Sequence, residues 1–313
     1  MLNILFVSQP THEYAQSQLY HGLVRLNHNV LDFPYNPTFH FNHLIDCDMN
    51  CKLGPCTELG KTGCLNHSAA LQMPDSKEHL ETFKPDCIIT NNGFGHESLY
   101  QRFKDVPIAC LDLGDSSHSS YGAWYQCIGR KPTAFFRREL HKGDGEALPL
   151  TFSFPLEKST YSNDNLQKYN VSCMVRPTNP DRQHAINITK SFYNNFIGTP
   201  KYPEYLKILS ESKFSFAPFG AAYTTVRYYE IAAMGSVIIS PHFPKELVLK
   251  NDFTDDLNCI KYNNIDEVPL RIQYYLDNPD EYSKLRFNSF QHYISHHTTM
   301  VRAQEVLDAL GLP

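Results

Sequence analysis

Short apolar runs alternate with longer polar-apolar stretches along this chain, beginning at the N-terminus. Leu2 to Ser8 is an almost continuous apolar run, which is typical of a central strand in a parallel sheet. Glu13 to Asn27 has the spacing of a helix, and Asn29 to Phe33 is a second short strand. The first segments therefore predict a β-α-β beginning.

Residues 34–75 interrupt this alternation, because they are rich in Pro, His, Asn, Gly and Cys and have no sustained period. We interpret them as a long insertion. Beyond it the pattern predicts strands and helices at Cys87 to Asn91, Glu97 to Phe103, Pro107 to Leu111 and Thr133 to Glu139. The alternation predicts an α/β fold with a doubly wound parallel sheet.

A second α/β half follows residues 142–165, where Gly, Pro, Ser, Asp and Asn mark a boundary. It starts with a predicted strand at Tyr169 to Val175 and closes with a helix at Thr298 to Leu310. We predict an N-terminal, acceptor-side domain over residues 1–150 and a C-terminal, donor-binding domain over residues 160–313. Two Rossmann-like domains of this kind would face a ligand cleft.

The segment from Leu209 to Ser240 is the most informative part of the second half. It predicts a strand at Phe214 to Ala217, a Pro-Gly break up to Gly220, a helix that closes at Gly235 and a further strand. In such a βαβ unit the helix N-terminus is suited to an anion, because its backbone N–H groups are unpaired.

Several side chains of this segment suit a phosphorylated ligand. Arg227 and Glu230 are three residues apart on the predicted helix and share one face. The guanidinium could address a phosphate and the carboxylate a sugar hydroxyl. Backbone N–H groups near Gly220 and the hydroxyls of Tyr223 and Thr224 would add donors. The alternative is a surface salt bridge worth about 0.2–0.5 kcal/mol; the preceding Pro-Gly break favours the ligand.

The run S-K-F-x-F-x-P-x-G from Ser212, followed by R-x-x-E-x-x-x-x-G from Arg227, resembles the donor-binding segment of nucleotide-sugar glycosyltransferases. The similarity is to the group 1 type with GT-B architecture, especially its CgeB-like and exostosin-like branch. Residues 297–299 with Arg302 resemble the H-T-x-x-x-R ending of CgeB-like chains. The resemblance covers residues 165–313.

The resemblance implies an enzyme that transfers a hexosyl or pentosyl group from a nucleotide-diphosphate sugar, for which we expect UDP. The acceptor, whether glycan, small molecule, protein or modified DNA, stays open. In the family the helix glutamate holds the donor ribose, which here would be Glu230, and Arg227 would face the diphosphate. Retaining members carry a further glutamate where this chain has Ala222, so no stereochemical course is implied.

The loop R-P-T-N-P-D-R places Arg176 and Arg182 after a predicted strand and before a predicted helix. Open α/β sheets bind ligands at such positions. The arginine fork donates two parallel hydrogen bonds, which suits a diphosphate. The alternative is two solvated surface arginines, and the donor-like segment downstream favours phosphate contact.

An inverting transfer also requires a general base. The candidates are Asp115, in the loop after the strand at Pro107 to Leu111, and His12, in the loop after the first strand. His96 and Asp112 follow strands in the same manner. Histidine has the better intrinsic pKa for this role. Each of these residues could equally be an ordinary loop residue.

The composition limits the partners of the chain. A hydrophobic content of 42%, a charged content of 19% and a net charge of −5 describe a soluble globular protein and give no reason to expect a nucleic-acid partner. Two alternatives to the transferase remain. One is an enzyme that glycosylates modified DNA bases, which would require a basic cleft; the other is a non-catalytic nucleotide- or sugar-binding relative. We find no signal-peptide pattern and no apolar run of membrane length, and expect the cytoplasm.

Four cysteines lie within 18 residues of the insertion: Cys47, Cys51, Cys56 and Cys64. They could coordinate a structural zinc, but the spacing lacks the paired C-x2-C knuckles of a typical site, and reduced thiols are favoured. An Asp-x-Asp motif is absent from the expected donor loop. We therefore expect catalysis that requires no metal or other cofactor.

Overall fold

A computed structural model describes residues 1–9, 14–34, 80–91, 95–114, 121–161 and 167–313. The chain forms two compact units. The first comprises Met1–Thr151, Glu246–Lys250 and Thr299–Pro313, and the second comprises Phe152–Lys245 and Asn251–Thr298. Within the described ranges, no helix is both long and apolar enough to cross a membrane.

The first unit is built on a six-stranded parallel sheet with the order β2-β1-β3-β4-β5-β6. Its strands are β1 Asn3–Val7, β2 Asn29–Phe33, β3 Cys87–Thr90, β4 Ile108–Asp112, β5 Ala134–Arg137 and β6 Leu148–Pro149. Its helices are α1 Tyr14–Arg25, α2 Glu97–Arg102, α3 Tyr121–Ile128 and α9 Thr299–Ala309. The central strands are apolar because they are covered on both faces, and Leu5, Ile88 and Ile108 are fully buried.

The second unit is built on a five-stranded sheet with the order β11-β10-β9-β7-β8, in which the paired strands are again parallel. Its strands are β7 Tyr169–Cys173, β8 Asn195–Ile197, β9 Ser212–Phe216, β10 Val237–Pro241 and β11 Ile260–Tyr262. Its helices are α4 Pro180–Ser191, α5 Tyr202–Ser210, α6 Val226–Ala233, α7 Val268–Asp277 and α8 Pro279–His296. Short 3-10 turns lie at Leu156–Lys158 and Ile265–Glu267.

The strand order of the second sheet fixes where its loops separate. From β7 the chain passes to β8 on one side and then to β9 on the other side. The connections after β7 and after β9 therefore leave the sheet in opposite directions from adjacent carboxyl ends. This divergence is the position at which open α/β sheets bind ligands.

The predicted fold class, α/β with two doubly wound parallel sheets, is confirmed. The closing helix differs from the expectation, since α9 belongs to the first unit and packs against α1. His21 Nδ1 lies 2.9 Å from Thr299 Oγ1, a hydrogen bond between buried side chains of these two helices. The sequence analysis had grouped residues 160–313 together, because a helix carries no signal for the sheet that it covers.

Candidate functional site

The candidate site lies where the loops after β7 and β9 diverge. At the end of the first loop, Asn179 caps α4 and its side chain accepts a hydrogen bond from Arg182 N at 2.9 Å. Arg182 Nε donates to the carbonyl oxygen of Phe219 at 2.9 Å, and Nη1 donates to Thr178 Oγ1 at 3.1 Å. One arginine thus connects the start of α4 to the loop after β9.

Gly220 allows this connection to be close. A Cβ at this position would lie 3.3 Å from Arg182 Nη2 and 3.2 Å from Thr225 Cγ2, which is tighter than most side-chain contacts. The backbone N–H of Gly220 donates to the carbonyl of Ala222 at 3.0 Å, so it is already paired within the loop. The glycine therefore brings the loop backbone against the Arg182 guanidinium.

Arg182 and Arg227 place two positive charges near one another. Burial lowers the pKa of Arg182, and the charge of Arg227 lowers it further. Neither guanidinium forms an ion pair with a carboxylate in the described part of the chain. Arg227 Nε is buried and has no hydrogen-bond partner among the described residues. Two neighbouring guanidiniums that form no ion pair have the chemistry of an anion site.

Glu230 is buried beside these arginines, with 2% of its surface exposed. Its Oε1 accepts a hydrogen bond from the Tyr202 hydroxyl and its Oε2 accepts one from the Tyr205 hydroxyl, each at 2.8 Å. The Arg227 guanidinium carbon lies 6.0 Å from the centroid of the Tyr205 ring. As predicted, Arg227 and Glu230 lie on one helix face; that face is directed at α5.

Burial raises the pKa of the Glu230 carboxyl above 4.5, and the hydroxyls of Tyr202 and Tyr205 and the charge of Arg227 oppose this shift. Burial also raises the pKa of Tyr205 well above 10.0, and the neighbouring carboxylate adds to the effect. The tyrosine is consequently a neutral donor at any working pH. The arrangement holds a carboxylate inside the protein by hydrogen bonds rather than by an ion pair.

The remaining predicted donor-site residues lie at different depths. Tyr223 is 38% exposed and its ring packs edge-to-face on Phe219, with centroids 5.3 Å apart. Thr224 is buried. Arg176 is exposed, and its carbonyl accepts a hydrogen bond from Thr178 N at 2.8 Å. The structure brings together Arg182, Gly220, Arg227 and Glu230, whereas Arg176 has no described side-chain contact with this group.

In the first unit, the predicted bases His12 and Asp115 lie outside the described residues, as do the cysteines at 47, 51, 56 and 64. Of the further candidates, His96 packs edge-to-face on Phe33 with centroids 5.8 Å apart, and burial lowers its pKa below 6.5. Asp112 ends β4, and its Oδ1 accepts a hydrogen bond from Gly114 N at 3.3 Å. The described ranges contain no group of three or more His, Cys, Asp or Glu side chains suited to a metal ion.

The tyrosine partners of Glu230 were missed by the sequence analysis, which assigned no helix between β8 and β9. A signal for that helix is present in Y-P-E-Y-L-K-I-L. Its Tyr202, Tyr205, Leu206 and Leu209 recur at i, i+3, i+4 and i+7, and proline lies in the first turn. This spacing predicts an amphipathic helix, although it does not reveal the carboxylate that the helix covers.

Part of the chain matches a known protein family, and the fold matches several solved structures. Residues 175–308 match a family described as glycosyl transferase-like. HepE of Anabaena, solved with UDP-glucose, has a TM-score of 0.58 at 11% identity, with 99% of this chain and 100% of that chain covered. Sucrose-phosphate synthase of Thermosynechococcus elongatus has a TM-score of 0.55 at 12% identity, with 98% of each chain covered.

An alpha-glucosyltransferase solved with UDP-glucose and DNA containing an abasic site has a TM-score of 0.54 at 10% identity, with 99% of each chain covered. No curated protein matches the sequence. At these identities the structural similarity concerns the fold. The CgeB-like and exostosin-like branch stays a prediction. The chain has the GT-B fold, and its residues 175–308 match the glycosyl transferase-like family.

Proposed function

We propose that this protein transfers a sugar from a nucleotide-diphosphate donor, for which we expect a UDP-hexose or UDP-pentose, to an acceptor that is still to be identified. The observation that carries the proposal is the pair Arg182 and Arg227. Both guanidiniums lie at the divergence of the loops after β7 and β9, and neither forms an ion pair with a carboxylate of the described residues.

A diphosphate would complete this site. Each phosphate accepts charge-assisted hydrogen bonds, and an arginine fork can supply two of them. Transfer of the sugar leaves a nucleoside diphosphate with additional negative charge, so the same guanidiniums would stabilise the leaving group as the bond breaks. The N-terminus of α6, which begins at Val226, adds its dipole, and the Thr225 side chain makes no capping hydrogen bond there.

The other predicted donor residues have supporting roles in the proposal. Glu230 would bind the ribose of the nucleotide, as the resemblance implies. Tyr223 and Thr224 would contribute hydroxyl donors near the phosphates, and Arg176 would contact them from its exposed loop. His12 and Asp115 stay the candidates for the general base in an inverting transfer, and the reaction would proceed without a metal or other cofactor.

Titration calorimetry with UDP, GDP, ADP and uridine tests the donor site, and release of free sugar from UDP-sugars tests the chemistry. We expect one diphosphate to bind more tightly than its nucleoside, and we expect slow sugar release. Nucleotide binding without sugar release or transfer would instead support the non-catalytic relative. Failure of all three diphosphates to bind would overturn the proposal.

Transfer assays with a panel of acceptors distinguish the proposed enzyme from the remaining alternative, a transferase that modifies DNA bases. A DNA-modifying transferase would convert duplexes that contain modified bases, and the net charge of −5 gives little attraction to that polyanion. We expect transfer to a carbohydrate or another small hydroxyl compound to exceed transfer to duplex DNA. Sugar incorporation into modified duplexes alone would favour the DNA enzyme.

A further inference from the structure

The hydroxyl groups of Tyr202 and Tyr205 lie against one carboxylate, that of Glu230. Both tyrosines belong to the first turn and a half of α5, and their rings stack with centroids 5.9 Å apart and an angle of 20° between planes. Each hydroxyl donates to a different oxygen of Glu230 at 2.8 Å. The two donors are thus equivalent in distance and alike in chemistry.

Their surroundings differ. Tyr205 is buried, and the Arg227 guanidinium carbon lies 6.0 Å from the centroid of its ring. Tyr202 is only half-buried and is the first residue of the helix, where the backbone is least constrained. Of the two hydrogen bonds to Glu230, the one from Tyr205 is buried and the one from Tyr202 is only partly buried. Oε1 is therefore the oxygen with the more accessible donor.

We propose that this tyrosine pair makes Glu230 selective for a ribose. Tyr205 is a positioning residue that fixes Oε2, and Tyr202 yields Oε1 to a ribose hydroxyl when a nucleotide binds. The inference rests on the proposed nucleotide-sugar function, and it adds two residues to it that the donor-segment resemblance does not include.

The exchange is feasible because one neutral hydroxyl donor replaces another. The buried carboxylate keeps two hydrogen bonds throughout, which avoids the cost of leaving a charged acceptor unpaired. A deoxyribose lacks the hydroxyl that would replace Tyr202 at Oε1. Tyr202 then keeps its hydrogen bond to Glu230, and the sugar makes no contact with the carboxylate. Selectivity of this kind follows from a polar group in the site that only the correct ligand can satisfy.

The experiment measures dissociation constants for UDP, 2′-deoxy-UDP and 3′-deoxy-UDP with the wild-type chain and with Tyr202→Phe, Tyr205→Phe and Tyr100→Phe. The wild type should prefer UDP over at least one deoxy analogue by roughly tenfold, which is the size of a single hydrogen bond. Tyr205→Phe should abolish most of this preference, because the carboxylate is no longer held in place. Tyr202→Phe should increase it several-fold, because the competing donor is gone.

Tyr100→Phe is the matched control. Tyr100 is a buried tyrosine of the first unit whose hydroxyl lies 3.0 Å from Thr90 Oγ1, so the variant removes a comparable hydrogen bond. It should leave the UDP to deoxy-UDP ratio unchanged, even where melting shows lost stability. Melting curves of the two α5 variants, taken in parallel, establish that they are folded.

The opposite signs expected for Tyr202→Phe and Tyr205→Phe separate positioning from general destabilisation. Equal preference ratios in wild type and both variants, with UDP still bound, would overturn the inference and leave the proposed function standing. A lower preference in folded Tyr202→Phe would also overturn it, because Tyr202 would then assist the ribose contact. Absence of binding of any nucleoside diphosphate to the wild type would overturn both.

Discussion

Arg182 Nε donates a hydrogen bond to the carbonyl oxygen of Phe219, 2.9 Å away. The donor belongs to α4 and the acceptor belongs to the loop after β9, so this bond fixes the distance between the two loops that diverge at the site. Nη1 is engaged by Thr178 in the same way. Nε and Nη1 of the guanidinium therefore bind the protein, whereas Nη2 lies next to Gly220.

Arg182→Lys should weaken UDP binding almost as much as Arg182→Ala, because a lysine ammonium cannot supply two fixed directions at once. We expect a loss of about 1.5–3 kcal/mol for the removal of each charged contact, with uridine binding nearly unchanged. Calorimetry with UDP and with uridine gives the ratio of the two dissociation constants for each variant. A lysine variant with wild-type UDP affinity would show that only the charge matters.

Arg227→Ala should likewise weaken UDP more than uridine, and its buried, unpaired Nε makes it the stronger candidate for a direct phosphate contact. Arg176→Ala is the comparison, since this exposed side chain should contribute less. If Arg176→Ala costs as much UDP affinity as Arg227→Ala, the loop after β7 closes over the diphosphate. If neither variant changes the ratio of UDP to uridine, the anion site is misassigned.

Glu230→Gln should alter how stability depends on pH. Burial raises the folded pKa of Glu230 above 4.5. The unfolded chain therefore loses this proton first as pH rises, and the stability contributed by the protonated carboxyl is complete below pH 4.5 and is lost as pH passes the folded pKa. Glutamine does not titrate, and the tyrosine hydroxyls can both donate to and accept from its amide.

The measurement is the free energy of unfolding of both proteins as a function of pH, from denaturant titrations. Between pH 4.5 and the folded pKa of Glu230, the free energy of unfolding of the variant should rise relative to that of the wild type. Above the folded pKa the difference between the two proteins should stay constant. Parallel curves throughout would mean that Glu230 does not change its proton affinity on folding. UDP should retain its affinity for the diphosphate portion in this variant and lose the preference over deoxy-UDP.

Much of the fold follows from local patterns, whereas the details of the site depend on packing. β1 and β10 are short, largely apolar runs of the kind that a buried parallel sheet requires. The spacing of Arg227 and Glu230 alone placed them on one helix face. The sequence could not show that Glu230 is covered by α5, because its partner Tyr205 lies 25 positions away and belongs to no shared motif. Tertiary packing decides such contacts.

The final helix illustrates the same limit. Its periodicity predicts α9, but its place in the first unit depends on packing against α1, where Gly22 lets the two helices come close. A Cβ on Gly22 would lie 2.0 Å from the carbonyl oxygen of Thr299 and 2.9 Å from the Cβ of Ala303. A lone glycine in a helical pattern indicates close packing, although the sequence does not name the neighbour.

Gly22→Ala should therefore destabilise the protein by about 1–3 kcal/mol, because α1 and α9 must move apart. Gly122→Ala is the matched control. It also replaces a helical glycine, but a Cβ there meets nothing within 4 Å, so the change should stabilise by up to ~1 kcal/mol through helix propensity. Equal melting temperatures for the two variants would contradict the close packing of α1 and α9.

Sugar transfer should survive treatment with EDTA, because the site supplies two arginines and a helix N-terminus to the leaving diphosphate. The cysteines at 47, 51, 56 and 64 give chelation a separate readout. A structural zinc there would be revealed as a lower melting temperature after chelation, since metal affinity contributes to folding. A prompt loss of rate that Mg²⁺ or Mn²⁺ restores, without a change in melting, would instead show a catalytic metal. Metal analysis of the untreated protein completes the test: about one zinc per chain supports the cysteine site, and none is consistent with reduced thiols.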